Sequence, residues 1–93
     1  MKDTDFREVF SGSPIKRIGR DRFVRNVCVA IGNSGEGALV ASLLPLLEDA
    51  APVVRGAAIW ALARLDRARF DREKAVRMEP ETDPGVLAEW MAG

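Results

Sequence analysis

From Pro52 to Leu65, the residues Val54, Ala57, Ala58, Ala61, Leu62 and Leu65 recur on one helical face without a miss. Val53, Gly56, Trp60 and Ala63 lay a second apolar strip along the same segment. A helix apolar on two sides is buried between neighbours, and its alanines and glycine imply that another helix comes close. Pro52 suits the first helical position. Everything else in the chain must pack around this segment.

The flanking segments carry the same period. Val24, Val27, Cys28 and Ile31 stand at i, i+3, i+4 and i+7, which predicts a helix over roughly Arg22 to Gly32, with Asp21 as its N-cap. Phe23 reads as a core residue at the start of that helix rather than a platform for a stacked base. Asn33 reads as its left-handed C-cap. Leu39, Leu43, Leu46 and Leu47 stripe a second helix, Ala38 to Glu48, which Pro45 should kink because it has no N–H to donate. A charged helix over Ala68 to Met78 turns Phe70, Ala75 and Met78 inward at best. Asp83 caps a last helix that Pro84 begins and whose Leu87, Trp90 and Met91 face in. Ahead of these, Asp5 to Phe10 could form one short helical turn, broken by Ser11 to Pro14, with Gly19 prolonging the irregular stretch. No segment alternates as a half-buried strand does. The expectation is an all-α single domain over residues 1–93: an N-terminal arm and basic loop at 1–20, a helical core at 21–66, and C-terminal helices at 67–93.

Composition removes several function classes. The chain has one cysteine and no histidine, so it cannot form an internal disulfide, a Ser–His or Cys–His nucleophile pair, or a site needing about four Cys or His ligands. Cys28 lies on an apolar helix face and reads as a small core residue. No apolar run approaches the roughly 18 residues of a membrane span, and a reducing, cytoplasmic location is expected.

Fourteen basic and fourteen acidic residues cancel, but they are not evenly spread. Lys16, Arg17, Arg20, Arg22 and Arg25 face only Asp21 within Ser13 to Asn26. A solvated helix start would account for such a run. Against that, cations at a helix N-terminus oppose the dipole by a few tenths of a kcal/mol each, and arginine forks suit phosphate oxygens. Asn26 needs a partner, either a carbonyl of the Ser13–Arg17 loop or a ligand. The later cations Arg64, Arg67, Arg69, Arg72, Lys74 and Arg77 alternate with Asp66, Asp71 and Glu73 and read as a solvated surface.

Val24-Arg25 and Ala30-Ile31 are echoed about thirty residues later by Val54-Arg55 and Ala61-Leu62, the period of a stacked helix pair. The pattern from Pro52 to Leu65 resembles the second helix of a HEAT-like repeat. In such repeats the arginine corresponding to Arg55 bonds carbonyls of the neighbouring turn, so Arg55 is expected to be structural. More specifically, "FSGSPIKRIGRDRFVRNVCVAIGNSG" followed by "LLPLLEDAAPVVRGAAIWALARL" resembles the C-terminal HEAT-like region of epoxyqueuosine reductases, the family that performs the last step of queuosine synthesis in tRNA. The resemblance spans roughly Phe6 to Leu65. It implies a parent with a cobalamin-binding part, a part holding two 4Fe–4S clusters, and a C-terminal part that grips the tRNA. This chain has no CxxCxxC run, so no catalytic residue and no cofactor or metal is expected in it. The tRNA-gripping role then falls on Lys16, Arg17, Arg20, Arg22, Arg25 and Asn26, with Ser13 and Asn33 as weaker candidates. Gly12 to Arg17 could instead dock against the iron–sulfur and cobalamin parts. A protein-interaction scaffold is the rival expectation, with a homodimer through the outer helices as one form of it.

Overall fold

The computed structural model describes the backbone from Pro14 to Gly93 and the side chains from Gly19 onward. The expected helical turn at Asp5 to Phe10, the break after it, and Ser13 lie outside the described residues. Every regular element among the described residues is helical. The α-helices are α1 (Pro14–Ser34), α2 (Val40–Leu43), α3 (Pro52–Leu65), α4 (Arg67–Arg77) and α5 (Pro84–Ala92). Two 3₁₀ segments, Gly37–Leu39 and Leu44–Glu48, flank α2.

The first helix corrects the sequence reading at both ends. It begins at Pro14, not near Arg22, so Asp21 does not cap it. A proline at the first position is pre-set for helical φ. An isolated glycine inside a helix costs only about 1 kcal/mol relative to alanine. A side chain built on Gly19 would meet nothing within 4 Å, so neither space nor packing forces a break there. At the other end the helix runs through Asn33 to Ser34, and the left-handed residue is Gly35, at φ 72°. Ser34 closes the turn by donating from Oγ to the Ile31 carbonyl at 2.6 Å and accepting from the Glu36 N–H at 3.1 Å.

The segment expected as one kinked helix is α2 sandwiched between 3₁₀ turns, with Pro45 in the second of them. Proline cannot donate to the carbonyl four residues back, and here the chain tightens rather than bends. Its leucines still supply the core through Leu43 and Leu47. Both later helices are capped by aspartates. Asp66 accepts from the Arg69 N–H and Asp83 from the Val86 N–H, each at 3.0 Å.

Helix α3 is the centre of the packing, touching α1, α2, the second 3₁₀ segment, α4 and α5. Its Val54, Ala58, Ala61 and Leu62 are fully buried, as the periodicity predicts, and Ile59 is buried with them. Cys28 from α1, Phe70 from α4 and Trp90 from α5 complete the same core. The rings of Phe70 and Trp90 stand 5.3 Å apart at a tilt of 46° and join the last two helices. At Gly32, α1 packs closely on α3. A Cβ there would sit 2.6 Å from the Trp60 ring and 3.0 Å from the Ala61 Cα.

Five expected core positions face solvent instead, Val27 and Val53 among them. Phe23 is 68% exposed and Met91 69% exposed, and Ala75 is exposed as well. Their helices turn neighbouring residues inward: Val24 and Cys28 on α1, Phe70 on α4, Val86 and Trp90 on α5.

Candidate nucleic-acid interface

Because α1 begins at Pro14, only Lys16 and Arg17 stand in its first turn, and their side chains lie outside the described residues. Arg20, Arg22 and Arg25 occupy later turns, where the field of the helix terminus has faded. The dipole therefore gives no reason for those three to seek an anion. Their surroundings separate them.

Arg20 is taken up by the protein itself. Its guanidinium donates twice to Asp49, at 2.7 and 3.0 Å, and once to Asp21 at 3.0 Å. Asp49 also accepts from the Ala51 N–H at 3.0 Å. The Arg20 hydrogen bonds, ahead of that N–H, hold the Asp49 carboxyl below the usual range, and the Arg20 guanidinium is shifted further up. The pair ties α1 to the turn that starts α3.

Arg22, Arg25 and Asn26 are different. They lie at i, i+3 and i+4 on one face of α1, and all three are exposed. Arg25 donates to the Asn26 side chain at 3.2 Å, the partner of Asn26 among the described residues. Neither Arg22 nor Arg25 has an ion pair among the described residues, whereas Arg20, Arg55, Arg67, Arg69 and Arg77 each do. These three residues border one shallow depression together with Asp21 and Val53. Sharing Arg25 and Val53 with it, a second groove lies between α1 and α5, with Gly56 and Trp60 also in its lining. Asn33, exposed at the far end of α1, is not part of that border.

Arg55, Arg77 and Arg64 hold other parts of the fold together. Arg55 donates to both oxygens of Glu81 at 3.0 and 2.9 Å and to the carbonyls of Asp49 and Ala50 at 2.9 and 3.3 Å. Glu81 also accepts from the N–H groups of Thr82 and Asp83, and Arg55 first, then these, pull its carboxyl down. Arg77 bridges Glu73 and Glu48, and the Glu73 carboxyl is lowered mainly by Arg77. Arg64 stacks on Trp60 at 5.0 Å and donates to the Gly32 carbonyl at 3.3 Å, near the end of α1. Arg72 and Lys74 make no ion pair among the described residues; Arg72 stands between Asp71 and Glu73 on α4, and Lys74 follows Glu73.

Cys28 is fully buried, and desolvation pushes its thiol up, away from reactivity. Among the described residues no three His, Cys, Asp or Glu side chains converge as metal ligands. No helix among them is long and apolar enough to cross a membrane.

The fold and this face define an all-α array around one central helix, with a small cationic patch on its first helix that is unpaired among the described residues. Comparison with known proteins names its relatives. The chain is 43% identical over 67 residues to the epoxyqueuosine reductase of Alicycliphilus denitrificans, covering 63% of this chain and 19% of that protein. It is 38% identical over 65 residues to the epoxyqueuosine reductase of Shewanella oneidensis, covering 67% of this chain and 16% of that one. An uncharacterised protein in the gldA 3′ region of Geobacillus stearothermophilus is 29% identical over 96 aligned positions, covering all of this chain and 44% of that protein. No family model matches, and no solved structure matches significantly. The chain is thus related to the epoxyqueuosine reductases across about two thirds of its length, and it spans less than a fifth of theirs.

Proposed function

We propose that this chain is a non-catalytic, HEAT-like module that grips the phosphate backbone of tRNA, the counterpart of the C-terminal part of an epoxyqueuosine reductase. The observation that carries this reading is the pair Arg22 and Arg25. They are exposed on one face beside Asn26 and have no carboxylate partner among the described residues. Guanidinium forks suit phosphate oxygens, and the Asn26 amide can add a donor. Lys16 and Arg17 extend the same proposal along α1. Arg20 belongs to the site only indirectly, by pinning α1 through Asp49.

The HEAT-like description is supported by α3, which takes α1 on one side and α5 on another while Arg55 bonds the carbonyls of the preceding turn. On the other flank of α1, exposed Phe23 and Val27 stand four residues apart. That flank favours a protein neighbour, such as the cluster-holding part of a longer relative, as a second partner.

Backbone contacts carry a strong salt dependence and little sequence discrimination. Fluorescence anisotropy of labelled tRNA at about 50 and 200 mM salt tests the proposal, with the salt slope expected to shrink by about one for each arginine removed. Arg22→Ala with Arg25→Ala should weaken binding severalfold at low salt while leaving the helical circular dichroism intact. Binding that ignores salt, or a double variant that binds as well as the wild type, would refute it.

A further inference from the structure

The groove between α1 and α5 has rims of opposite charge. Arg25, on the α1 rim, makes no ion pair among the described residues. Glu89, on the α5 rim, is half-buried and has no side-chain partner among them either. Asp83 stands near Glu89 on the same rim. Between the rims the floor is apolar, with Val53 48% exposed and Trp60 half-buried. Gly56 lies against the Glu89 side chain, where a Cβ would make an ordinary 3.5 Å contact with the Glu89 Cγ. A polyanion filling this groove would meet the acids as well as the arginine, so phosphate is kept to the outer depression bordered by Arg22, Arg25 and Asn26.

We propose that the occupant of the groove is a second copy of this chain, docked about a two-fold axis running along the groove. Such an axis carries the α1 rim of one copy onto the α5 rim of the other. Arg25 then meets Glu89 of the partner copy twice, and the two apolar floors cover each other. An isologous interface must be self-complementary, and rims of opposite charge on either side of an apolar strip satisfy that condition. The molecule extends 42 by 29 by 16 Å, so its broad face can supply the roughly 800 Å² per partner of a standard interface. The inference shares Arg25 with the RNA reading, so the two occupants compete for it, but it does not rest on that reading because it is tested on the protein alone.

Sedimentation velocity of the 93-residue chain across the micromolar range should show twice the 10.2 kDa monomer mass. Arg25→Glu and Glu89→Arg should each weaken the dimer at least tenfold, because each places like charges opposite each other twice. An equimolar mixture of the two variants should restore the dimer, since every contact in the mixed pair is again between opposite charges. Val53→Lys, which leaves both rims intact, should also yield monomer by placing cations in the apolar floor. A wild-type monomer throughout that range, a dimer indifferent to Arg25→Glu or Val53→Lys, or failure of the mixture to reassociate would each overturn the proposal. Circular dichroism of every variant separates loss of association from loss of fold.

Discussion

Replacing Arg55 should unfold this protein more readily than replacing any other arginine. Its guanidinium makes two bonds to Glu81, at 3.0 and 2.9 Å, and a third to the Asp49 carbonyl at 2.9 Å, with side chains only 18% and 10% exposed. Exposed ion pairs contribute about 0–1 kcal/mol, whereas removing one partner of a buried pair costs about 3–5 kcal/mol. The low but nonzero exposure places Arg55→Met between these, at about 2–3 kcal/mol, because it strands both the Glu81 carboxylate and the carbonyls of the turn. In a domain of this size that is a melting temperature lowered by roughly 10–20 °C. Arg55→Lys keeps the charge but loses the fork and should fall about midway. Thermal melts of Arg55→Met, Glu81→Gln and the double variant close a thermodynamic cycle. A coupling below about 0.5 kcal/mol would mean the two residues act independently and would refute the assignment of this pair as the clamp between α3 and the turn before α5.

Gly32→Ala should cost about 1–3 kcal/mol, since its Cβ would overlap the Trp60 ring and crowd the Ala61 backbone; chemical denaturation checks it. Acid should destabilise the fold in a particular way. Asp49, Glu73 and Glu81 have native pKa values lowered from 3.8, 4.5 and 4.5 by their arginines. Their contribution is complete above the ordinary carboxylate range and is lost as pH falls through it to the lowered native values. Melts from pH 7 down to 3 should show that decline, and Glu81→Gln should flatten it. Phe23→Ser should leave stability within about 0.5 kcal/mol of wild type, as surface substitutions do, while Phe70→Ala should cost about 3–5 kcal/mol; paired urea titrations distinguish the exposed ring from the buried one.

Much of the fold could be read directly from the residues. The period of Val54 to Leu65 marks α3 as the buried centre, Asp83-Pro84 marks the start of α5, and Pro45 marks the interruption near α2. These are local signals, each set by the residue's own backbone preference or by spacing along one helix. The start of α1 was harder to see because Gly19 has the form of a breaker, yet its local cost of about 1 kcal/mol is within what a helix packed on its neighbours absorbs. Ile59 falls in neither apolar strip, and only the arrival of other elements shows that a third side of α3 is covered.

The candidate site divides in the same way. That cations cluster in the first third of the chain is plain from composition. Which of them remain available is not, because the acids that claim Arg20 and Arg55 lie 29 and 26 positions away. The sequence by itself determined helical periodicity, the Asp83 cap of α5 and the absence of histidine chemistry, all properties of residues and their near neighbours. The tertiary structure alone decided that Arg20 clamps the fold while Arg22 and Arg25 face outward, and that Phe23 lies in solvent. A helix period says which residues share a face, but only the packed partners say which face is covered and which charge is already neutralised.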